Sequence, residues 1–89
     1  GNSSAGDYGR IYGYIDDWNG PALKEEIKTL LSLGKEKKTI ASSITSRYKA
    51  SYLAASTAEK ATMKQHLIEV YKMLGYSQAD AKKKIEAWN

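Results

Sequence analysis

From residue 22 onward, apolar positions return every third or fourth residue. Leu23, Ile27, Leu30 and Leu31 form one stripe, and Ile40, Ile44, Tyr48 and Tyr52 a second. Met63, Leu67, Val70, Tyr71 and Leu74 form a third, and Ala81, Ile85 and Trp88 a fourth. That spacing sets each group on one face of an α-helix and predicts four amphipathic helices. The residues between the stripes agree. Pro21 suits a first helical turn, where its missing N–H would have no partner anyway, and Asn19 or Gly20 can cap it. Gly34 and Gly75 can end helices in the left-handed conformation that other residues resist. Ser56 with Glu59 spells a capping box, and Ser77 with Asp80 a weaker version of it. The second helix is therefore expected from about Lys37 to Ala54.

Ahead of these lies a stretch with mixed signals. Residues 1–7, "GNSSAGD", are small and polar and read as a flexible leader, leaving residues 8–89 as a single helical domain. In "YGRIYGYIDDWNGP", Ile11, Ile15 and Trp18 share a helical face, but Gly9 and Gly13 each weaken a helix by up to ~1 kcal/mol. A short helical turn docked by its aromatic rings is expected here. The predicted fold is all-α: a small four-helix bundle built of two helical hairpins, with this aromatic segment docked on it. A helix, Leu-Gly, helix unit recurs about 40 residues on, Leu33-Gly34 matching Leu74-Gly75; two copies are too few for a solenoid and suit two packed hairpins.

Composition narrows the functions. With 89 residues and 42% hydrophobic content, the chain can build one small core. It has no cysteine and one histidine, His66, so neither a disulfide framework nor a multi-ligand metal site is expected, and His66 reads as structural. No apolar run has the roughly 20 residues of a membrane helix, so the chain reads as soluble with no membrane role. Adjacent carboxylates such as Asp16 with Asp17 and Glu25 with Glu26 diverge on a helix, and the phosphate-cradling glycine patterns are absent. No catalytic, cofactor-binding or metal residues are expected, and the chain reads as non-enzymatic.

Net charge is +4, and the basic excess begins after Gly34. Lys35, Lys37, Lys38, Arg47 and Lys49 are the expected contacts to nucleic acid or to an acidic partner. Gly34, Thr39 and Ile40 fit the spacing of a helix-turn-helix, whose second helix enters the major groove. Against DNA reading, the residue after the glycine is Lys35 rather than apolar. Ser43 takes an inward position, and the second helix has no Asn or Gln for bidentate base contacts. The aromatic residues Tyr8, Tyr12, Tyr14 and Trp18 supply large rings with polar tips and are the expected protein-docking patch.

"KTIASSITSRYKASYLAA" and "LIEVYKMLGYSQADAKKKIEAW" complete the picture. A Lys/Ser-rich helix ending in Tyr-Lys, then a helix closing on Leu-Gly-Tyr before a Trp-bearing helix, resembles a helical module of large phage- and prophage-encoded proteins over residues 27–88. The resemblance implies one module of a longer parent chain, without catalysis of its own, in the bacterial cytoplasm or the phage particle. It transfers no functional residues. The expectation is thus a non-enzymatic helical interaction module that docks a protein partner or the rest of its parent chain. A helix-turn-helix DNA-binding domain using the basic second helix is the alternative.

Overall fold

The computed structural model describes residues 3–88, with the backbone alone for residues 3–7. Five helices and no strand occur among them: α1 Ser3–Asp16, α2 Gly20–Ser32, α3 Lys37–Ala54, α4 Thr57–Met73 and α5 Gln78–Glu86. The radius of gyration is 12.4 Å, close to the ~12 Å of a compact body of this length. The four expected helices are α2 to α5, and α3 has the predicted bounds.

Local signals operate as chemistry requires. Asn19 Oδ1 accepts from the Ala22 N–H at 3.4 Å, with Pro21 in the first turn of α2. At α4, Ser56 Oγ accepts from Glu59 N–H at 3.2 Å while Glu59 Oε1 accepts from Ser56 N–H at 3.1 Å. The Ser56 N–H, helped by the Ser56 hydroxyl, holds the Glu59 carboxyl below its ordinary range. Ser77 Oγ accepts from Asp80 N–H at the start of α5. The two Leu-Gly bends are alike: the N–H after each glycine, of Lys35 or Tyr76, reaches back to the carbonyl of Leu30 or Tyr71 at 3.0 and 3.1 Å. Each bend needs a positive φ, +93° at Gly34 and +103° at Gly75. Alanine at Gly75 should therefore cost about 1–2 kcal/mol, measured as a lower urea midpoint with unchanged slope.

The apolar stripes converge. Leu23, Ile27 and Leu30 of α2, Ile40, Ile44, Tyr48 and Tyr52 of α3, and Leu67, Val70, Tyr71 and Leu74 are buried together with Ala81, Ile85 and Trp88. Met63 packs against them half-buried. Leu31 departs from expectation: it is 37% exposed, because it lies one residue, about 100°, beyond Leu30 and at the flank of the inward arc.

The larger difference is at the amino terminus. Where a short turn was expected, α1 is a 14-residue helix that runs through Gly9 and Gly13, giving a fifth helix. Tyr8, Ile11 and Ile15 are buried on its inner face, and that burial offsets the propensity lost at the glycines. Residues 1–2 of the expected leader lie outside the described residues, and the backbone of 3–7 is helical. The pairing also differs from two sequential hairpins. α4 packs with α5 as expected, but α2 packs chiefly on α1 and α4, and α3 on α4 and α1.

Both α1 glycines face open space, with nothing near where a Cβ would sit. Gly13→Ala should therefore raise stability by about 0.5–1 kcal/mol, read as a higher melting temperature.

Candidate functional site

α3 runs between two polar systems. On its α1 side, the Tyr48 hydroxyl stands 2.8 Å from Asp16 Oδ1 and 3.0 Å from the Tyr12 carbonyl, so one proton is shared between two acceptors. Arg47 pairs with Asp16 at 3.5 Å, and its guanidinium lies 5.3 Å from the Tyr12 ring centre and 5.8 Å from that of Tyr48. Tyr12 meets Tyr48 edge-on at 6.1 Å, and its hydroxyl approaches the Ser43 carbonyl at 3.5 Å. Burial, reinforced by the Asp16 hydrogen bond and charge and only partly opposed by Arg47, pushes the Tyr48 phenol well above its ordinary range. This side is occupied in holding α1 to α3.

The α5 side is arranged differently. A groove of about 610 Å³ opens between α3, the end of α4 and α5, lined by Lys38, Ala41, Ser42, Thr45, Ser46, Tyr71, Tyr76, Lys84 and Trp88. Thr45 and Tyr71 share a hydrogen bond of 2.9 Å across its floor. Burial raises the Tyr71 phenol, the Thr45 bond opposes this, and Tyr76 adds to it. Tyr76 is placed by the Gly75 bend, which folds it back edge-on to Tyr71 at 5.9 Å. Two ammonium groups lie against its ring: Lys37 Nζ 4.9 Å and Lys84 Nζ 4.6 Å from the centre. No carboxylate lines the groove, and among the described residues none pairs with Lys37, Lys38 or Lys84.

The five basic residues expected to act together are thus divided. Lys38 lines the groove, and Lys37 lies against the Tyr76 ring that helps wall it. Arg47 faces α1 on the opposite flank, Lys49 is on the exposed outer stripe of α3 with Ser42, Ser46 and Leu53, and Lys35 is half-buried in the bend. Lys84, on the groove's other side, is one of a run of three lysines, Lys82 to Lys84, on α5. Tyr76 drew no attention as a site residue, although its place directly after the Leu-Gly bend is the signal that could have found it.

The expected aromatic patch is also divided. Tyr8 belongs to the core, and Tyr12, Tyr14 and Trp18 pack half-buried against it. Trp18 stacks on His66 with ring centres 4.2 Å apart and planes at 2°. Those two rings wall a smaller pocket of about 310 Å³ with Ile15, Met63 and Leu67, at whose edge Asp16 and Tyr48 meet. The segment's rings are therefore turned mostly toward the protein. Among the described residues no cluster of three metal-ligating side chains occurs, and no helix is long and apolar enough to cross a membrane.

The fold and groove define an all-helical domain with a basic, hydroxyl-lined cleft on one flank of α3. No family model matches the chain, and neither a characterised protein nor a solved structure matches it.

Proposed function

We propose that this chain is a non-enzymatic docking module, part of a larger phage-related protein, which receives an acidic segment of a protein partner or of its own parent chain in the α3–α5 groove. One observation carries this: Lys38 and Lys84 line a cleft that has hydroxyls and aromatic rings but no carboxylate, and Lys37 lies against its Tyr76 ring. Clustered positive charge without internal partners attracts and steers an acidic ligand. Arg47, by contrast, does not line the groove and is paired with Asp16.

The test is titration of a fluorescent oligoglutamate peptide at low salt. Lys38→Glu with Lys84→Glu should weaken binding at least about tenfold while the helical circular dichroism stays unchanged. Equal binding by the charge-reversed protein would remove the proposal. The helix-turn-helix alternative draws on the basic second helix, α3, along which Lys37, Lys38, Arg47 and Lys49 are exposed. Tight duplex binding that survives Lys84→Glu and weakens with Lys38→Ala and with Lys49→Ala would favour it instead.

A further inference from the structure

Resting on the docking reading above, we infer that the groove is a seat for a phosphate monoester carried by the acidic segment, a phosphorylated serine or threonine rather than a row of carboxylates alone. The lysines supply the first reason. Lys37 Nζ and Lys84 Nζ each lie under 5 Å from the centre of one ring, 4.9 and 4.6 Å. Their separation therefore does not exceed about 10 Å, comparable to the Debye length at 0.1 M salt, so their mutual repulsion is only partly screened. Lys38 adds a further positive charge at the border of the same cleft. A bound anion relieves that repulsion, and the relief grows with the charge it brings.

Hydroxyl supply is the second reason. Ser42 and Ser46 stand one helical turn apart on α3, both exposed and both lining the groove. Neither side chain has a hydrogen-bond partner among the described residues, whereas Thr45 is engaged by Tyr71 and Ser43 by the Thr39 carbonyl. A carboxylate brings one charge and two oxygens. A phosphate monoester brings about −1.5 to −2 charges and three acceptor oxygens, enough to meet ammonium groups and serine hydroxyls together. A duplex backbone suits the site less well, since its phosphates would need cations along the length of α3, and beyond Lys38 the exposed stripe of Ser42, Ser46, Lys49 and Leu53 offers one, Lys49.

The experiment compares two peptides of equal length, one with a single phosphoserine among glutamates and one with glutamate in its place, at matched ionic strength. Affinity is read by titration and location by nuclear magnetic resonance shifts. The phosphopeptide should bind about tenfold tighter, with its largest shifts at Ser42, Ser46, Tyr76 and Lys84. Lys37→Gln and Lys84→Gln should each shrink that preference, while Lys24→Gln, on exposed α2 surface, should leave it intact. Equal affinity for both peptides, or a preference that survives both groove substitutions, would overturn the inference. If both peptides bind equally and both are lost on Lys38→Glu with Lys84→Glu, docking stands and the phosphate seat alone fails. If neither peptide binds, both proposals fail. A titration with inorganic phosphate supplies a control: shifts spread evenly over all surface lysines count against a seat, and shifts confined to the groove support it.

Discussion

Ile11→Ala should lower stability by about 2–5 kcal/mol, the usual cost of removing a buried isoleucine side chain beyond its β-carbon and leaving a void. Ile11 is 0% exposed on the inner face of α1, between Tyr8 and Ile15. The helix has little to fall back on. Gly9 and Gly13 reduce its intrinsic propensity, so α1 is helical because it is packed. Native domains are stable by only about 5–15 kcal/mol, and a small one sits toward the lower end. The substitution should therefore reduce the melting temperature by about 10–25 °C, with some loss of helical signal as α1 detaches. Leu33→Ala is the control: at 71% exposure, that side chain should change stability by no more than about 0.5 kcal/mol. A near-neutral Ile11→Ala would mean that α1 lies on the core without belonging to it.

The second large effect is alkaline unfolding through Tyr48 and Tyr71. Both phenols are raised in the folded chain, Tyr48 by burial and the neighbouring Asp16 carboxylate, Tyr71 chiefly by burial. Unfolded, each loses its proton at a pH of about 10. Between that value and its higher folded one, the unfolded chain binds fewer protons than the native chain, and stability falls as pH rises. The contribution is fully present below about pH 10 and is lost on passing upward toward the folded values. The ceiling is about 1.4 kcal/mol per pH unit for each tyrosine. Tyr48 should fall short of it, because its partner Asp16 is half exposed and solvent screens that charge. Denaturant melts between pH 9 and 11.5 should show this decline. Tyr48→Phe and Tyr71→Phe should each flatten it, at the cost of some stability near pH 8 from the lost hydrogen bonds to Asp16 and Thr45. A slope unchanged in both variants would assign the decline to other groups.

Much of the helical framework was legible in local pattern. The stripe of α3, the Ser56–Glu59 box and the two Leu-Gly bends each depend on residues within one or two turns of each other, and each is found as the spacing predicts. The candidate groove was legible only in part. Lys37 and Lys38 could be picked out as basic residues at the head of a helix, but their association with Lys84 and Tyr76 joins α3 to the far end of the chain. Arg47 shows the converse. By composition it belonged with the other cations, yet Asp16, 31 residues earlier, draws it to the opposite flank.

By itself the sequence determined which segments become α2 to α5, where they stop, and which side of each turns from water, because hydrophobic periodicity and end-capping act over a few residues. The tertiary structure alone decided that α1 is a full helix despite its glycines, that Leu31 stays outside, and that Lys38 and Lys84 line one cleft with Lys37 against its Tyr76 ring. Those outcomes depend on burial and charge contacts between distant parts of the chain, whose energies exceed local propensity and do not exist until the helices meet.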